Sequence, residues 1–271
     1  MIGTLCSDWA DVTHPVIGML HLPPLPGSPR YQGDLAAIRR HVLRDAKTLA
    51  EAGVHGLMME NFGDVPFFPS QVPTHTVTHM TTLALAVRDA VDLPLGINVL
   101  RNDGLSALAI AHAVGASYIR VNVLAGACLT DQGIVSGIAA DLMRLRRELG
   151  AENVKVLADV RVKHAAPLAD RPLQEEVDEL LNRSCADAVI VSGTGTGQPT
   201  DPELVREVKA LAGSAPVLVG SGVKPDTVRG LAGFADGFIV GTSFKPNGDP
   251  LQPIDPFRVE ALLRALSEAG G

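Results

Sequence analysis

Eight short runs rich in β-branched and aliphatic residues recur along the chain: 16–22 (VIGMLHL), 56–62 (GLMMENF), 95–100 (LGINVL), 118–124 (YIRVNVL), 154–160 (VKVLADV), 188–193 (AVIVSG), 216–222 (PVLVGSG) and 237–243 (GFIVGTS). Between them stand longer stretches with apolar residues at three- and four-residue steps, among them 34–53, 76–91, 104–116 and 134–150, several of them ending on glycine. This alternation predicts βα units and a parallel sheet. Eight successive units fit a single closed (β/α)8 TIM barrel. An open doubly wound sheet is the alternative, disfavoured because no GxGxxG follows the first run. Residues 1–271 are then expected to form one domain, with 1–13 as an N-terminal extension and 244–271 as a C-terminal loop and closing helix.

Polar residues are distributed unequally around the runs. The segments that follow them are rich in chemistry (HLPPLPGSPRY, ENFGDVPF, LRND, RVKHAAP, SGTGTGQPTD, GSGVKPD, GTSFKPNGD), whereas those that precede them are short and plain (AGVHG, VDLP, VGAS, GAEN). Barrels of this kind carry their sites at the C-terminal ends of the strands, so function is expected there. Gly220, Ser221 and Gly222 follow the seventh run, and Gly241, Thr242 and Ser243 follow the eighth. Glycines admit a close backbone approach and the hydroxyls add donors, which together suggest a phosphate cradle. The plainer reading is that they only make tight turns.

The two-residue strand period puts Arg120 and Asn122 on one face of the fourth run, opposite Ile119, Val121 and Val123. The same counting places Asp159 with Arg161, while Asn98 lies within the third run and Glu60 and His21 stand near the ends of the second and first. A ring of buried polar groups implies either a binding site or an internal ion-pair network. Asp159 and Glu60 are the acid/base candidates, with Lys163 and His164 in reserve. Lys163 as a Schiff-base lysine is set against an ordinary surface charge or phosphate contact. Arg101, Asn102, Thr194, Gly195 and Thr196 are expected in loops that meet the substrate. Asp201 and Pro202 read as the cap and first residue of a helix.

Composition narrows the partners. Thirty acidic against 23 basic residues give a formal charge of −7, with no basic stripe for nucleic acid. Cys6, Cys128 and Cys185 offer neither a disulfide framework nor metal-finger spacing, and no HExxH or Asp-rich loop appears, so no metal or cofactor is expected. No apolar run spans a bilayer and the start lacks a signal-peptide pattern, so a cytoplasmic protein with no integral membrane segment is expected. The expected partner is a small phosphorylated ligand, and a homo-oligomer is compatible with the sequence.

At these motifs the chain resembles the BtpA/SgcQ family. The matching stretches are VIGMLHLPPLPGSP, ENFGDVPF, LGINVLRND, IRVNVLAGACLTDQG, LADVRVKHA, DAVIVSGTGTGQPTD, PVLVGSGV and DGFIVGTSFKPNGD, spread over residues 14–248. The resemblance implies a barrel related to the phosphate-binding barrels. It also implies two competing roles: an enzyme on a phosphorylated sugar or nucleoside, as in members named nucleosidases, or a factor for photosystem I biogenesis at the thylakoid surface. The converging polar ring favours the enzyme, because a docking protein needs an exposed apolar or basic patch instead.

Overall fold

The computed structural model describes residues 2–193 and 195–269. The strands are β1 (Val16–His21), β2 (Gly56–Glu60), β3 (Leu95–Asn98), β4 (Tyr118–Val121), β5 (Ala127–Thr130), β6 (Gly133–Ser136), β7 (Lys155–Val160), β8 (Ala165–Pro167), β9 (Ala188–Ser192), β10 (Val217–Gly220) and β11 (Gly237–Val240). Eight of them pair in parallel in the order β1-β2-β3-β4-β7-β9-β10-β11, and β11 returns to β1. The barrel is closed. Seven of the eight runs end one to three residues sooner than their apolar pattern suggests, because the chain turns out of the sheet at the mouth, whereas β7 keeps its expected end at Val160.

The helices are α1 (Leu35–Glu51), α2 (Thr74–Ala90), α3 (Gly104–Val114), α4 (Ala139–Glu148), α5 (Leu173–Asp178), α6 (Pro202–Ala212), α7 (Val228–Ala232) and α8 (Pro256–Ser267). Side-chain caps fix several starts: Asp34 accepts from the Ala37 amide at 2.8 Å, Asp103 from Ser106 at 3.0 Å, and Asp201 from Glu203 at 3.0 Å. Pro202 occupies the first turn of α6, where its missing N–H costs nothing.

Two apolar layers follow from the strand period. Outward residues such as Val16, Leu20, Val156, Ala158, Val217 and Val219 pack on the helices. Inward ones, including Ile17, Met19, Met58, Leu157, Ile190, Leu218 and Ile239, fill the barrel with Ile2, Leu5 and Trp9 from the N-terminal segment. Trp9 is fully buried 5.5 Å from the Tyr118 ring, and its indole donates to the His55 carbonyl at 2.7 Å. Residues 2–9 therefore plug the end of the barrel opposite the site.

Two expectations are corrected. Residues 133–136 are strand, not the start of a helix: Leu129 and Ile134 face each other across an antiparallel pair, and β8 completes a small β6-β5-β8 sheet. Arg161 does not share the inward face of Asp159. The chain has left β7 there with φ +53°, and the guanidinium pairs with Glu176 at 3.0 Å on the outside.

Candidate active site

Continuing the inward period to the strand ends brings polar side chains where aliphatic ones stood below. His21, Glu60, Asn98, Arg120, Asp159 and Ser192 end the inward rows of β1, β2, β3, β4, β7 and β9, and all six are buried. Pairing sets His21 beside Glu60 and Glu60 beside Asn98 in register. Ser192 escaped the sequence reading, although it follows Ala188 and Ile190 on the same two-residue period.

Arg120 and Asp159 form the rigid centre. The guanidinium donates to both carboxylate oxygens at 2.9 and 2.7 Å, Asn122 donates to one of them at 2.9 Å, and Ser192 to the other at 3.0 Å. A bidentate fork with further donors is the geometry in which a buried ion pair recovers its desolvation cost. Asp159 is thereby committed to holding Arg120. Asn98 donates to the Arg120 carbonyl at 3.2 Å and leaves its own buried amide oxygen without a partner among the described residues.

Glu60 is held differently. Burial pushes its carboxyl above the usual range, against the pull of the Lys163 and Arg120 charges. Its neighbour His21 lies with Nε2 3.9 Å from the carboxylate and its ring 4.8 Å from that of Phe62. Burial, aided by the Lys245 and Lys163 charges, lowers His21 well below its ordinary value, and its Nδ1 is buried without a partner among the described residues. Burial and the Arg120 charge also lower the Lys163 amine. The proton inventory thus comprises a carboxyl shifted up, an amine shifted down and a neutral imidazole. Such opposed shifts bring the carboxyl and amine ranges closer together, as in groups that exchange protons.

These groups meet the glycine loops. One small cavity is lined by His21, Glu60, Arg120 and Lys163 together with Thr196, Gly197, Ser221, Gly222, Gly241, Thr242 and Ser243. Gly220 does not line it, being the last residue of β10 and packed near Ile190 and Ile239. Gly222 has φ +63°, and a Cβ there would stand 2.1 Å from the Gln198 carbonyl oxygen. At Gly241 a Cβ would meet the His21 ring at 2.6 Å. Both glycines are therefore required by packing as well as open to a ligand. Ser221 holds φ +102°, donates to the Gly195 carbonyl at 2.8 Å and accepts from Thr200 at 3.1 Å, tying the loop after β9 to that after β10. Ser243 donates to the Val223 carbonyl.

The remaining loop candidates divide. Arg101 is buried and donates to the Lys163 carbonyl at 2.6 Å, so it positions that lysine. Asn102 spends its amide on the backbone of Val123 and Ser136, a stapling part in place of the expected substrate contact. The Thr196 hydroxyl lies 3.1 Å from the His164 ring, and Thr194 lies outside the described residues. Lys163 also borders a second, larger cleft of about 520 Å³. Among the described residues no three His, Cys, Asp or Glu side chains are grouped to hold a metal, and no helix is long and apolar enough to cross a membrane.

Comparison with known proteins shows what the chain and its fold are similar to. The model of the BtpA family matches residues 12–268. An uncharacterised protein of Thermococcus kodakarensis is 48% identical over 254 residues, covering 94% of this chain and 95% of its own. The photosystem I biogenesis protein BtpA of a Synechocystis strain is 45% identical, over 94% of this chain and 89% of its own. Among solved structures, tryptophan synthase of M. tuberculosis superimposes with a TM-score of 0.60 at 19% identity, covering 97% of this chain and 96% of that one, which shows the shared barrel.

Proposed function

The chain belongs to the BtpA family, and from that premise and the barrel mouth we propose an enzyme that acts by acid/base chemistry on a small phosphorylated sugar or nucleoside. The observation that carries this reading is the convergence of His21, Glu60, Arg120 and Lys163 on the cavity lined by Gly222, Gly241, Thr242 and Ser243. Loops after the last two strands are the usual phosphate cradle of such barrels, so the phosphate is assigned there, with Lys163 as its cationic neighbour. Glu60 is the proton acceptor, since its carboxyl lies free of the fork that occupies Asp159. For a nucleoside-type substrate the reaction is hydrolysis of the N-glycosidic bond. Water bonds to the anomeric carbon as the C–N bond breaks, Glu60 takes the water proton, and Lys163 protonates the departing nitrogen.

The test is turnover of the purified protein on a panel of sugar phosphates and nucleoside 5′-monophosphates, read by chromatography of the products. Glu60→Gln is expected to lower kcat by about 10² or more while leaving the fold intact. A panel without a single product, or a folded Glu60→Gln protein with full turnover, would contradict the assignment. A second reading, a part in photosystem I biogenesis, is supported by the name of the Synechocystis relative. If this chain and its Glu60→Gln variant equally restore photosystem I in Synechocystis cells lacking that relative, the second reading gains and catalysis by Glu60 is not needed for it.

A further inference from the structure

The larger cleft opens at the ends of β4, β7 and β9, shares Lys163 with the cavity at the glycine loops, and holds about 520 Å³. Its volume lies within the roughly 300–1,000 Å³ of small-molecule sites. Val123, Ala127, Val162, Leu180 and Leu204 give it aliphatic walls, and the β6-β5-β8 sheet lies over it through Val135 and Cys128, packed on Val123 and Val162. The charges at its rim are spent on each other, Arg161 on Glu176 at 3.0 Å and Arg171 on Glu179 at 2.7 Å. Apart from those paired rim charges, the polar groups that line it, Asn122, Asp159, Ser192 and Lys163, come from the barrel side. An occupant is therefore uncharged and largely apolar, with hydrogen-bonding atoms on the edge facing the barrel. That description fits a heteroaromatic ring better than a bare sugar or an alkyl chain.

Lys163 lines both cavities, so a ligand with its phosphate at the glycine loops and a ring in the cleft would lay the bond between them across this lysine and Glu60. We propose that the cleft is a second subsite for a heteroaromatic base, so that the substrate is nucleotide-like rather than a bare sugar phosphate. This rests on the phosphate assignment made above, but it uses a different cavity and different residues.

Calorimetric titration with inorganic phosphate, ribose 5-phosphate, adenosine and adenosine 5′-monophosphate tests it, on the wild type and on Ala169→Trp. Ala169 lines the cleft from an exposed loop position, so an added indole fills the space without disturbing the barrel. The monophosphate is expected to bind at least about tenfold more tightly than ribose 5-phosphate, and Ala169→Trp to abolish that advantage while leaving ribose 5-phosphate unchanged. Equal binding of the two phosphates by the wild type, unaffected by Ala169→Trp, overturns the base subsite and leaves the phosphate reading standing. Adenosine binding as tightly as its monophosphate, and lost in Ala169→Trp, keeps the subsite and overturns the phosphate reading. Thermal melts of the variant confirm that it is folded.

Discussion

At the level of single residues, the two central carboxylates carry different burdens although the chain presents them alike. Asp159 accepts four hydrogen bonds and neutralises Arg120. Asp159→Asn should therefore destabilise the protein by about 3 kcal/mol or more, the usual cost of leaving a buried charge unpaired, as read by urea unfolding. A variant as stable as the wild type would remove the fork from the account. Glu60 should instead appear in the pH profile. Its carboxyl is raised by burial and must be ionised to accept a proton, so kcat/KM should climb through a value above the ordinary range of about 4.3. The alkaline limb should fall below the ordinary lysine value, because burial lowers Lys163. An acid limb at or below the ordinary carboxylate value would exclude Glu60. Much of this ring was legible in the sequence, since Arg120 and Asp159 follow from counting by twos and His21, Glu60 and Asn98 stand out as polar residues within or near the ends of apolar runs. Arg161 was misplaced by the same counting, which fails once the chain leaves the sheet, and Ser192 was passed over although the same counting along the sixth run reaches it.

At the level of elements, loops decide what each strand end can do. Gly222→Val looks on sequence grounds like a probe of phosphate binding. The structure makes it a probe of loop packing, because φ +63° and the Gln198 carbonyl leave no room for a side chain. It should lower the melting temperature and loosen the contact between the loops after β9 and β10, and unchanged thermal stability would contradict that packing. The N-terminal segment is the second case. Trp9→Ala should cost about 3 kcal/mol or more, as for other fully buried large side chains, measured by chemical unfolding. A negligible loss would show that the plug does not contribute. Neither the plug nor the β6-β5-β8 sheet was legible. Short 3-10 turns carry no period to read, and Ile134, Val135 and Ile138 satisfy a helical spacing while their backbone pairs with β5 up to Ser136.

At the level of the whole molecule, eight apolar runs of similar length, seven of them followed by segments rich in polar residues, are enough to specify closure. Each barrel strand buries one face on the helices and the other in the interior. Closure also buries imidazoles. His21, His41 and His55 are all lowered by burial, so the unfolded chain binds more protons than the folded one as pH falls below the ordinary value of about 6.5. Stability should be full above that value and decline below it, with Glu60 opposing through its raised carboxyl. Melting temperatures at pH 7.5 and 5.5 check the direction, and a rise on acidification would contradict it. The central claim, that the loops after β10 and β11 form an anion site facing Glu60 and Lys163, is tested most directly by amide NMR during titration with ribose 5-phosphate. Saturable shifts centred on Gly222, Gly241, Thr242 and Ser243 are predicted, whereas shifts elsewhere, or no saturable shift at these four amides, would contradict it.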